Sequence, residues 1–161
     1  MTKEDEVLQA AHEARYAQLV AELADAFGVD AAALQESGHL IVNGVDVGLL
    51  NYKVWDQGRI TIFFDLGSIP AARQAEAYRK LLEQNLLLPR TFGTYAIIPG
   101  TDHGALAYTF DFSSGLDGYA LAKNICETLK QYKSMEKSLQ DASQNSRLRM
   151  GTSLKASGIG L

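Results

Sequence analysis

The stretch Arg59–Leu88 constrains this chain more than any other segment. It reads RITIFFDLGSIPAARQAEAYRKLLEQNLLL. Ile60, Ile62, Phe64 and Leu66 alternate with Thr61, Phe63 and Asp65, which predicts a strand with one strongly apolar face. Gly67 ends it. Ser68 and Pro70 follow, and Pro suits the first turn of a helix because its missing N–H falls among donors that have no helical partner. The predicted helix, Pro70–Leu88, has two apolar seams. Ala71, Ala75, Tyr78, Leu82 and Leu86 form one; Ala77, Leu81 and Leu88 form the other. A helix lying on its own sheet needs a single seam. The spare one asks for a partner, and a second copy of the chain is the natural candidate.

The rest of the pattern fits one domain of 161 residues. Residues 4–27 read as an amphipathic helix, with Leu8, His12, Tyr16, Leu19, Leu23 and Phe27 at steps of three or four and Gly28 as its stop. Asp30 can cap a short turn that points Leu34 inward. Three strands are then expected, at His39–Asn43, Val45–Trp55 and Arg59–Leu66. Asn43-Gly44 is a hairpin signal, Gly48 a bend or bulge, and Asp56-Gln57-Gly58 a second turn. Pro89 stops the central helix. Strands at Thr94–Ile98 and Ala105–Phe112 follow, then a helix capped by Asp117. Its apolar positions are Leu121, Ala122, Ile125, Cys126, Leu129, Tyr132 and Leu139. The order αβββαββα groups like elements together, so the fold class is α+β, a twisted antiparallel sheet with helices packed on it. Residues 1–140 are expected to form the domain. Residues 141–161 lack periodicity, are rich in Ser and Gly, and read as a mobile tail.

Charge and composition narrow the function. Net charge is −4. Residues 1–140 hold 12 Lys/Arg against 18 Asp/Glu, whereas 141–161 hold 3 against 1. An acidic body argues against nucleic acid, which rewards clustered positive charge. No apolar run approaches the ~20 residues that span a bilayer. The acidic start, MTKEDEVLQAAHEAR, lacks the apolar stretch of a signal peptide, so the expected location is the cytoplasm. A single cysteine, Cys126, forms no intrachain disulfide and reads as a small core side chain.

Chemistry is sparse. Asp102-His103 resembles an acid–base pair but lies in a Gly-flanked turn. His12-Glu13 lacks the second histidine of a zinc motif, and His39 opens a strand. Asp65 and Asp111 read as solitary carboxylates with structural or solvent-facing roles. No nucleophile elbow or phosphate-cradling loop is present, and three scattered histidines with one cysteine have no metal-ligand spacing. No catalytic residue, metal or cofactor is expected. What stands out is apolar surplus: Tyr52, Val54, Trp55, Phe63 and Phe64 crowd both faces of the central strands. An antiparallel sheet covered on one face should be polar on the other, so Phe63 and Val54 suggest a partner surface.

The passage Phe64-Asp65-Leu66-Gly67-Ser68-Ile69-Pro70, followed by Tyr78-Arg79-Lys80-Leu81-Leu82-Glu83-Gln84-Asn85-Leu86, resembles the class I type III secretion chaperones, a Tir-chaperone-like family. There a strand ends in LG-x-[IL]-P and the next helix in LL-x-x-N. Gly93-x-Tyr95 and Leu116-Asp117 match further on, and the likeness covers roughly residues 8–140. It implies a small, acidic, cytoplasmic bacterial homodimer without cofactor. Such a protein binds the N-terminal region of a secreted effector as an extended chain, keeps it soluble and presents it to the secretion apparatus, whose ATPase is a further partner the resemblance implies. The resemblance implies dimer contacts at Tyr78, Leu81, Leu82, Leu86, Tyr95 and Ile97. Client contacts are expected at Leu19, Leu23 and Phe27 on the first helix and at Leu40, Val42, Leu49 and Tyr52 on the strands, with β-augmentation supplying main-chain bonds. The tail beyond Asp141 departs from the family's compact core. The competing readings are an adaptor or regulatory domain of the same fold that binds a folded partner, and a small enzyme using Asp102, His103 or His12.

Overall fold

A computed structural model describes residues 2–51, 58–87, 89, 93–111 and 115–133. The expected turn at Asp56-Gln57, Tyr52, Val54, Trp55, Phe112, Leu139 and the tail 141–161 lie outside the described residues. The chain separates into two compact units, Met1–Ala122 and Lys123–Leu161.

In the first unit, α1 spans Lys3–Phe27. Its start is a capping box: the Thr2 hydroxyl accepts from Asp5 N–H, and the Asp5 carboxylate accepts from Thr2 N–H at 2.7 Å. Gly28 ends it in the left-handed conformation that a side chain would resist. Asp30 caps α2, Ala31–Ser37, which buries Leu34. Then come β1, His39–Val42, β2, Val45–Asn51, and β3, Arg59–Ser68. A 3₁₀ turn at Ala71–Arg73 leads into α3, Gln74–Leu87, and β4, Thr94–Ile97, and β5, His103–Asp111, complete the sheet. The last helix, α4, covers residues 118–133. Asp117 caps it, accepting from Ala120 N–H at 2.7 Å.

The sheet is antiparallel throughout, in the order β1-β2-β3-β5-β4, so β1 and β4 are its edges. Asn43-Gly44 closes the β1–β2 hairpin beyond the Val42–Val45 pair, both residues at positive φ. Leu40, Val42, Val47, Leu49, Ile60, Ile62, Phe64 and Leu106 share one face and are buried, as are Leu19, Val20, Leu23 and Ala24 of α1. Gly118, at the start of α4, lies so close to α1 that a Cβ there would meet the backbone of Leu19 and Leu23 at 2.4 Å. In the second unit α4 continues over residues 123–133 with Ile125 and Leu129 buried and Cys126 only half-buried.

Three expectations change. Gly48 is neither a bend nor a bulge: β2 runs through it in register, paired with His39 and Phe63. Its missing side chain makes room for the Phe63 ring, which a Cβ at 48 would meet at 1.9 Å. That fit, with His39 edge-on to the ring at 5.7 Å, leaves Phe63 only 8% exposed on the face away from the main core, so little of its ring is offered to a partner. The irregularity in the sheet lies instead between Asp65 and Gly67. Finally, the apolar stripe of α1 is core only in its C-terminal half, since Leu8 is 53% exposed and Val7 67%. At ~1.5 Å per residue α1 runs about 37 Å, more than the buried stretch Leu19–Ala24 occupies.

Candidate protein-interaction surface

Helix α3 is where the fold departs from an ordinary α+β layer. It has no buried residue. The Ala77/Leu81 seam, with Tyr78 and Asn85, is half-buried and turned to the chain's own sheet. The other seam is bare: Ala75 is exposed, Leu82 is 70% exposed and Leu86 87%. A third side is charged, with Arg79 on Glu83 at 2.8 Å and Lys80 on Glu76 at 2.6 Å. These exposed i,i+4 pairs support the helix by a few tenths of a kcal/mol each and leave the apolar stripe uncovered. Of the six residues expected at a dimer contact, Leu82 and Leu86 are exposed, and Tyr78, Leu81, Tyr95 and Ile97 are half-buried on α3 and the adjoining edge β4.

A polar link adds to that seam in tying α3 to the sheet. Asn85 Nδ2 donates to the Tyr95 carbonyl at 2.9 Å, and Tyr95 N–H donates to Asn85 Oδ1 at 2.6 Å. Burial raises the phenol pKa of Tyr95, and that of the adjacent Tyr108. The pairing of Asn85 with an edge strand is invisible in sequence periodicity, although the helix-end asparagine was part of the resemblance.

The expected client-facing side chains are placed differently. Leu19 and Leu23 have no exposed surface, and Leu40, Val42 and Leu49 retain only 5–7%. These five belong to the core, because they sit on the sheet face and helix side that meet each other. Phe27 is half-buried and Tyr52 lies outside the described residues. On the opposite face of the β1–β2 hairpin, Ile41 is 76% exposed and Leu50 41%. Their positions out of phase with Leu40, Val42 and Leu49 could have been read from the strand period.

Of the candidate catalytic residues, Asp102 and His103 belong to a hydrogen-bonded clamp, while His12 is half-buried on α1. His103 Nδ1 meets Asp65 Oδ2 at 2.8 Å, so Asp65 is not solitary. Asp65 also accepts from Gly67 N–H at 2.7 Å across the irregularity. Ser68 Oγ donates to Asp102 at 2.6 Å, a bond that holds the Asp102 carboxyl below the usual range, and the Asp102 carbonyl accepts from Ile69 N–H at 2.9 Å. The hydroxyl therefore serves Asp102, not His103, and the network fastens the chain where β3 leaves the sheet for α3. Among the described residues no three His, Cys, Asp or Glu side chains form a group that could hold a metal. Among the same residues no helix is long and apolar enough to cross a membrane.

The profile of the Tir chaperone protein (CesT) family matches residues 18–132. The chain belongs to that family. The match begins within α1 and spans every strand, α3 and nearly all of the described α4. A chain in the structure of the ExoT–SpcS complex of Pseudomonas aeruginosa has the same fold, at a TM-score of 0.52 and 16% identity, over 74% of this chain and 96% of that one. No curated protein matches the sequence.

Proposed function

We propose that this member of the CesT family is a cytoplasmic type III secretion chaperone that works as a homodimer. It binds the N-terminal region of a secreted effector as an extended chain, keeps it soluble and delivers it to the secretion apparatus, whose ATPase is a candidate further partner. The observation that carries the dimer is the bare seam of α3, Ala75, Leu82 and Leu86, beside a half-buried stripe that already satisfies the sheet. A soluble protein seldom leaves a leucine stripe in water unless something covers it. A two-fold interface would place the same stripe from both copies face to face.

Binding is through main chain and grooves, and no bond is made or broken. The sheet edge supplies N–H and C=O groups at a fixed spacing, and any extended segment can meet them. Selectivity comes from the exposed side chains of the hairpin, Ile41 on the edge strand and Leu50 on its neighbour. Ordering an unfolded segment costs conformational entropy, so a large wrapped area is required. Among the described residues the Ser68 hydroxyl bonds Asp102 and not His103, so we read the Asp65–His103–Asp102–Ser68 clamp as structural.

The test is co-expression with the secreted protein encoded beside its gene, followed by limited proteolysis. A protected N-terminal effector segment in the co-purified complex supports the reading. A partner captured only through a folded domain favours an adaptor of the same fold instead.

A further inference from the structure

The two edges of the sheet are finished in different ways. On β4, Ile98 N–H donates to His103 O at 2.9 Å, which sets the alternation: Thr94 and Ala96 bond to β5, while Tyr95 and Ile97 turn their N–H and C=O outward. Asn85 takes both outward groups of Tyr95, at 2.6 and 2.9 Å. A carboxamide presents a donor and an acceptor as a peptide group does, so Asn85 stands where a neighbouring strand's peptide would stand. On β1, Leu49 N–H donates to Gly38 O at 2.7 Å, so His39 and Ile41 are the outward residues. His39 is met by a single hydroxyl, that of Ser37, at the longer distances of 3.2 and 3.3 Å. No described residue bonds the outward groups of Ile41, whose side chain is 76% exposed.

Resting on the chaperone reading, we propose that Asn85 is an edge seal that withholds β4 from strand addition and leaves β1, centred on Ile41, as the edge that accepts an extended chain. Unsealed edges recruit strands without discrimination, and proteins that must stay soluble block them. The same two bonds help hold α3 beside β4, alongside the half-buried Ala77/Leu81 seam, since no residue of α3 is fully buried. Two copies meeting at α3 are thereby kept from fusing their sheets at Tyr95, and their contact is made by side chains. Asn85 is a positioning residue in this scheme: it touches no client, and decides where one can pair.

Amide hydrogen exchange on the full chain, read by nuclear magnetic resonance, tests the seal without any client. In the unaltered protein the Tyr95 amide is expected to exchange at least about tenfold more slowly than that of Ile97, its unsealed neighbour on the same edge. Asn85→Leu removes that difference while Leu106, inside the sheet, stays slow. Asn85→Asp, which keeps the acceptor, leaves Tyr95 slow. A spin-labelled peptide of alternating threonine and valine then reports the open edge: it broadens Ile41 in the unaltered protein, and both Ile41 and Ile97 in Asn85→Leu. Equal exchange at Tyr95 and Ile97 in the unaltered protein overturns the seal. Broadening at Ile97 in that protein, or none at Ile41, overturns the choice of edge. Failure to capture an effector would sink the chaperone reading and leave the exchange result standing.

Discussion

Leu82→Asp separates folding from association. In the single chain Leu82 is 70% exposed, so a carboxylate there stays in water and folding is spared. In a two-fold interface built on the bare seam each chain contributes the residue once, and the damage is counted twice. Losing the burial of one leucine costs about 2 kcal/mol. Taking a carboxylate out of water without a partner costs at least about 2 kcal/mol more in a partly wet interface. Over both copies the loss is about 8 kcal/mol, or about six decades in the dimerisation constant. The nearest cations on the helix, Arg79 and Lys80, are engaged with Glu83 and Glu76 and do little to relieve it. Light scattering at micromolar concentration should find a monomer of 17.5 kDa. Its thermal midpoint should match that of unaltered protein diluted below its dimerisation constant. A variant that remains dimeric and stable refutes the placement of this seam at an interface. One that unfolds as a monomer refutes the claim that the seam is surplus to the chain's own core.

Further outcomes follow from the fold and its polar clamp. Gly48→Ala drives a methyl into the Phe63 ring and should cost about 1–3 kcal/mol, lowering the thermal midpoint by several degrees; Phe63→Leu in the same chain should recover part of it, and additive losses would contradict the contact. His103→Ala should lower stability modestly and leave effector capture intact, and loss of capture would bring the Asp65–Asp102 cluster back as a functional site. Burial raises the phenol pKa of Tyr16, Tyr95 and Tyr108 above the ordinary value of about 10, so folding favours their neutral forms. Their contribution is complete below pH about 10 and is lost as the pH rises through the folded-state values, which denaturant melts across the alkaline range would register as falling stability.

Local signals in the sequence were sufficient for most elements. Gly28, Asp30, Asn43-Gly44 and Asp117 each mark a boundary through their own backbone preferences or side-chain bonds, and each does so in the structure. The surplus seam of α3 was legible because helical periodicity reports how many faces are apolar. Periodicity does not report what covers a face, which is why Leu8 read as one more position of the apolar stripe of α1 and is exposed. For the same reason Leu19, Leu23, Leu40, Val42 and Leu49 read as equally suited to core or client, and packing seats them inside. The remaining features depend on residues brought together by the sheet. Asp65 and His103 are 38 positions apart, and Gly48 makes sense only once Phe63 is registered beside it. Asn85 finds Tyr95 just 10 residues on, yet its meaning depends on which way an edge strand turns its amides.

The most direct test of the central claim is light scattering on the purified chain, alone and co-expressed with the neighbouring secreted protein. The account predicts a dimer near twice 17.5 kDa and a complex in which that dimer holds one effector by its N-terminal segment. A monomer that captures nothing would contradict it.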